Sequence, residues 1–154
     1  MIADFKFIAT WWFTIFLLSS LTLPFIFLIF KNFWDRGYIF AKTLSLFGLT
    51  YIFFILGVFK ILPFTSAAIY LIIALLIIID IYLIIRNKNF FQKIFSSKLL
   101  IFIVEEILFF LILTLWSYLR GFAPDIEGLE KFMDWGFVNS ALRSLYFPPN
   151  DMWY

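Results

Sequence analysis

Phe7–Phe30, FIATWWFTIFLLSSLTLPFIFLIF, runs 24 residues without a charge, and its length decides the class of the protein. As a helix rising 1.5 Å per residue it would reach about 36 Å, against a hydrocarbon core of about 30 Å, so it spans with room for tilt. A cleaved signal peptide is the competing reading. The run is too long for one, Asp4 offsets Lys6 before it, and no small-residue cleavage site follows. Pro24 lies near the end of the span, where a kink is tolerable because neighbouring groups re-satisfy the freed carbonyl.

The same reading extends along the chain. KNFWDRGY (Lys31–Tyr38) is a short charged turn, after which the sequence is apolar over 39–62, 64–85 and 99–119. Together with 7–30 these segments predict an all-α integral membrane fold with four transmembrane helices over 1–119, followed by an extracytoplasmic segment, 120–154. Pro63 separates the second and third spans. RNKNFFQKIFSSK (Arg86–Lys98) carries Arg86, Lys88, Lys93 and Lys98 and no acid, with Phe90, Phe91, Ile94 and Phe95 at helical spacing. It reads as an amphipathic surface segment on an anionic leaflet.

The composition agrees: 64% hydrophobic with 24 Phe and only 14% charged, whereas soluble domains hold about 45–50% apolar and about 25% charged residues. A net charge of +2 gives no reason to expect a nucleic-acid partner; the lipid bilayer is the expected one. The chain has no Cys and no His, which excludes disulfides, thiolate or imidazole metal sites and Ser-His-Asp relays. No cofactor is specified, and any metal would be a hard cation held by oxygen, such as Mg or Mn. An outside N-terminus places Lys31, Arg36, Lys42, Arg86, Lys88, Lys93 and Lys98 on the cytoplasmic side against Lys6 and Lys60 outside. The positive-inside rule favours that orientation, which leaves the C-terminal segment extracytoplasmic.

Lys60 lies near the far end of the second span, where it can snorkel, and four charges fall further inside the spans: Lys42, Asp80, Glu105 and Glu106. A carboxylate at mid-span costs about 2.5–3.5 kcal/mol on insertion scales, so each must be paired, protonated or turned toward protein. Lys42 is expected to pair with Asp80 or with one glutamate. Adjacent glutamates point about 100° apart and cannot both serve one cation. An ion pair that fixes helix register is the bland reading and a proton or ion path the sharp one.

From Arg120 the chain reads RGFAPDIEGLEKFMDWGFVNSALRSLYFPPNDMWY. Arg120, Gly121 and Pro124 end the fourth span, and Asp125 is placed to cap a helix beginning near Ile126. Glu127, Glu130, Lys131 and Asp134 share one helix face, with Leu129, Phe132, Met133, Gly136 and Phe137 opposite. Beyond Gly136 the stripes exchange sides, which predicts two short amphipathic interfacial helices broken near Gly136. Phe147-Pro148-Pro149 then forces an extended exit, with aromatics suited to anchoring at the interface.

The stretch PDIEGLEKFMDWGFVNSALRSLYFPPNDMW resembles the signature of the polytopic "YYY" membrane proteins, similar to R-x-x-x-P-D-I-x-G-x-E-K-x-M-D-x-x-F-x-N-x-x-x-R-S-x-x-F-P-P-x-D. DRGYIFAKTLSLFGLTY (Asp35–Tyr51) is similar to an early segment of that family. Ala123, Trp135, Gly136 and Met152 depart from its pattern. The resemblance implies the N-terminal fragment of a longer protein, so that the rest of the full-length chain is a partner and activity is expected only of the whole.

That family is similar in layout to membrane glycosyltransferases of the GT-C type. The likeness implies a polyprenyl-phosphate sugar as donor, a carboxylate as base and a cation at the departing phosphate. Asp125 is then the first choice for the base, with Asp134 or Glu130 next. Lys131, Arg143, Asn139 and Asp151 become the candidate substrate-binding residues. Each has a plainer role: helix cap for Asp125, solvated surface for the acidic face, head-group contact for Arg143. A carrier or flippase of lipid-linked substrates, which would use the intramembrane acids, and a non-catalytic assembly subunit are the competing functions.

Overall fold

The structure, a computed structural model, describes residues 2–122 and 129–152; of residues 2–4, 129 and 130 it describes the backbone alone. It is all-helical over the described residues: α1 (Ile2–Ser20), α2 (Leu23–Ile29), α3 (Tyr38–Val58), α4 (Ser66–Arg86), α5 (Lys88–Gly121) and α6 (Leu129–Arg143). Helices α3, α4 and α5 are each long and apolar enough to cross a membrane, and α1 with α2 forms a bent pair that could be one more span. Most apolar side chains along these helices face outward, the arrangement expected where the solvent is lipid.

The first apolar run is broken rather than merely kinked: α1 and α2 meet at 56°. The sequence gives the cause. Pro24 has no N–H and stands in the first turn of α2, where none is needed. The hydroxyls of Ser19 and Ser20 donate to the Phe16 carbonyl at 2.9 and 2.8 Å, and Thr22 donates to the Ser19 carbonyl at 3.2 Å. Thr22 also bonds the buried Ser45 of α3, so the break is tied to its neighbour.

Asp35 is the keystone of the next turn. It is 1% exposed, and its carboxylate accepts from the N–H groups of Gly37 (3.0 Å) and Ile39 (2.9 Å), satisfying donors that the start of α3 leaves open. Gly37 has φ +79, and a β-carbon there would lie 2.6 Å from Phe30 Cβ. Asp35→Ala is therefore expected to lower stability by about 1 kcal/mol, as loss of a helix cap does. Thermal unfolding followed by circular dichroism in detergent checks this, and an unchanged midpoint would contradict the capping role.

Helix α3 stops at Val58, short of the expected 62, because Lys60 takes a left-handed conformation (φ 54) and Ile61 N–H returns to the Leu56 carbonyl at 2.9 Å. Thr65 then caps α4, accepting from Ala68 N–H at 3.4 Å. The basic segment 86–98 is not a separate surface piece: α5 is one unbroken helix of 34 residues, about 51 Å by helical rise. No Gly or Pro interrupts it, and Phe91, Ile94 and Phe102 continue one stripe into the core beside Phe27 and Tyr38. Phe102 stacks on Tyr38 at 4.5 Å and on Phe27 at 5.4 Å.

Helix α6 also runs unbroken, through Gly136. The glycine there admits a neighbour rather than ending the helix: a β-carbon would lie 2.6 Å from Met152 Sδ. The helix start expected near Ile126, the cap expected of Asp125 and Glu127 lie outside the described residues.

Candidate functional site

Two groups of polar side chains stand out, one within the helices and one beyond them. In the first, Lys42 of α3 forms an ion pair with Glu106 of α5, their side chains 12% and 13% exposed. The Tyr38 hydroxyl donates to the same Glu106 Oε1 at 2.6 Å. The ammonium lies 4.7 Å from the Phe109 ring centre and 5.2 Å from that of Tyr38, close enough for cation–π attraction. Tyr38 escaped the sequence reading, although its spacing of four from Lys42 puts both on one helix face. Asp80 and Glu105 take no part in the pair. Among the described residues, Asp80 Oδ1, both Glu105 oxygens and Glu106 Oε2 are shielded without a hydrogen-bond partner.

The second group is a cleft of about 350 Å³ between α6 and the tail that follows it. Three of the four candidate binding residues, Asn139, Arg143 and Asp151, line it together, with Trp135, Ser140, Ser144, Asn150 and Met152. The tail is fastened at several points. Ser140 donates to the Asn150 carbonyl, and Ser144 accepts from Asn150 N–H at 3.3 Å. Further back, the Leu145 carbonyl accepts from Phe64 N–H at 2.7 Å. Phe147 packs on the rings of Phe54 and Phe64, 5.8 and 5.4 Å between centres. A β-carbon on Gly57 would come within 2.7 Å of its ring. The cleft is thereby held at the bundle end formed by the α3–α4 turn.

The remaining candidates are placed differently. Asp134 is exposed on α6 and, like Lys131, does not line the cleft. The Glu130 side chain and the whole of Asp125 lie outside the described residues. Among the described residues no three acidic side chains converge to hold a metal ion. The serines and Trp135 were missed as site residues, and nothing in their local spacing points to the tail folding back on them.

Two larger cavities are apolar. One of about 890 Å³ lies between the start of α1 and the end of α5, lined by Phe5, Trp11, Tyr118 and Phe122 among others. The other, about 500 Å³, opens beside the α1–α2 break, with Pro24, Phe27 and Phe102 in its walls and Glu106 as its one acid.

No curated protein matches the chain, and no solved structure does. A family model does: the one described as "Uncharacterized membrane protein (DUF2298)" matches residues 48–154, which include α4, α5, α6 and the cleft. With more than half of its length matched, this all-helical chain belongs to the DUF2298 family of membrane proteins.

Proposed function

We propose that the chain is part of a membrane glycosyltransferase of GT-C-like layout that takes its sugar from a polyprenyl-phosphate donor. The observation that carries this reading is the gathering of Asn139, Arg143 and Asp151 into one cleft at an end of an apolar helix bundle. A donor whose tail stays in lipid presents its head group at that level. On this reading the bent pair counts as one span, the N-terminus and the cleft are extracytoplasmic, and the tail and α6 lie at the interface.

In the proposed reaction the acceptor oxygen forms a bond to the anomeric carbon while the bond from that carbon to the phosphate oxygen breaks. Asp125 takes the acceptor hydroxyl's proton, with Asp134 or Glu130 as the alternative base, and the lipid phosphate leaves with the electron pair. Arg143 stabilises that phosphate through its planar fork of donors, with Lys131 as the alternative cation. Asn139 and Asp151 orient the sugar.

A second reading, a carrier of lipid-linked substrates, is favoured by the shielded and unpartnered oxygens of Asp80 and Glu105. One assay separates the two: transfer of radiolabelled sugar from a polyprenyl-phosphate donor by membranes containing the full-length protein of which the chain is part. For the enzyme, Arg143→Gln is expected to lower transfer about tenfold, the loss of one charge-assisted contact, while Glu105→Gln leaves it unchanged. Loss in Glu105→Gln with Arg143→Gln unaffected would overturn the enzyme in favour of the carrier.

A further inference from the structure

We propose that the cleft between α6 and the tail is a subsite for a phosphorylated monosaccharide, with the Trp135 indole as platform for the ring and Arg143 as partner of the phosphate. The inference rests on the transferase reading and narrows it to one sugar unit, a size, and a residue that the reading itself does not use.

Size comes first. At about 350 Å³ the cleft lies at the small end of ligand sites, which run from about 300 to about 1,000 Å³. It suits a single sugar with its phosphate and is too small for an oligosaccharide.

The hydrogen-bonding inventory narrows the chemistry. Ser140 donates to the Asn150 carbonyl, and Ser144 donates to the Ser140 carbonyl (2.8 Å) while accepting from Asn150 N–H. Both hydroxyls thus hold the tail in place. The Asn139 amide nitrogen donates to the Trp135 carbonyl at 2.8 Å, which orients the side chain and leaves its Oδ1 and second N–H for a ligand. Arg143 is exposed at the rim, and a guanidinium matches phosphate in two parallel hydrogen bonds.

Trp135 is the residue that makes the cleft more than an anion site. It lines the cavity and remains 59% exposed, so an indole, with the Met152 thioether, borders a pocket whose other side chains are amide, hydroxyl, carboxylate and guanidinium. That combination fits a molecule with an apolar C–H face and hydroxyls on its edge, which describes a pyranose. A free phosphate gains nothing from the indole, and a purely apolar ligand would strand the polar walls without partners.

The test titrates the purified full chain with glucose 1-phosphate, glucose and inorganic phosphate. Glucose 1-phosphate is expected to bind at least tenfold more tightly than either half. Trp135→Ala should weaken glucose 1-phosphate about tenfold, an aromatic contact with its buried area, and leave inorganic phosphate unchanged. Arg143→Gln should weaken both. Because Trp135 is exposed, Trp135→Ala should keep the wild-type melting temperature, and Trp135→Phe, which retains a ring, should recover most of the affinity.

Inorganic phosphate binding as tightly as the sugar phosphate, no binding of any probe, or indifference of glucose 1-phosphate to Trp135→Ala would each overturn the proposal. Probe binding by the chain, with no sugar transfer by membranes containing the full-length protein, would refute the transferase reading and leave the subsite standing. Transfer with a donor KM unaffected by Trp135→Ala would do the reverse.

Discussion

Replacing Lys42 with methionine is expected to lower the stability of the helix bundle by about 3 kcal/mol, because it leaves the Glu106 carboxylate shielded among apolar helices without its cation. Removing one partner of a buried pair costs about 3–5 kcal/mol, and the low end applies since both side chains keep some exposure. Tyr38 would still donate to Glu106 Oε1, but a neutral donor does not replace a charge.

The double variant Lys42→Met with Glu106→Leu should recover most of that loss, since two apolar groups of similar volume need no partners. Unfolding by graded denaturant in mixed micelles measures both. Equal destabilisation in the single and double variants would show that Lys42 acts through its cation–π contacts with Phe109 and Tyr38 and not through the pair. Full transfer activity in the double variant would favour a register-fixing role over a path for ions.

Phe147→Ala is expected to release the tail. The ring is half-buried against Phe54, Phe64 and Gly57, so the loss should be about 2 kcal/mol, below the 3–5 typical of a fully buried phenylalanine. Its consequence reaches further than its energy. Asn150 and Asp151 form one side of the cleft and follow Phe147 by only a few residues, so the cleft should open and glucose 1-phosphate binding should fall with it.

Gly57→Ala should act in the same direction, because the added carbon meets a ring fixed by two others. Gly136→Ala should be nearly neutral, because it meets the flexible Met152 side chain and gains about 1 kcal/mol of helix propensity. Limited proteolysis of the tail reports on both variants. A tail as resistant in Phe147→Ala as in the parent would refute the anchoring role.

These two predictions differ in how far the sequence anticipated them. Lys42 needed a partner by any reading of its position, and the sequence offered Asp80, Glu105 and Glu106 as candidates. Which acid it meets depends on how α3 and α5 are rotated against each other. A repeat of 3.6 residues gives depth along a helix and leaves that rotation open. The anchoring of Phe147 had no local signal, since its partners Phe54, Gly57 and Phe64 lie more than eighty residues earlier.

The expected helix break at Gly136 followed a sound local rule. Contact with Met152, a residue from the far side of the cleft, accounts for the glycine instead. Similarly, the basic segment 86–98 has the pattern of a surface helix, but Phe91 and Ile94 enter the core with Phe27 and Tyr38, and residues 88–98 form the first turns of α5.

By itself the sequence determined the membrane class, the presence of long apolar helices, the disturbance at Pro24 and the chemistry closed off by the absence of Cys and His. These are properties of local composition and length, set by the thickness of a bilayer and the need of every backbone group within it for a partner. The tertiary structure alone decided the choice of Glu106 for Lys42, the docking of the tail on the α3–α4 turn, and hence the cleft that unites Asn139, Arg143 and Asp151. Those features come from contacts between segments distant in the chain, where packing fixes the rotation and approach that local spacing leaves free.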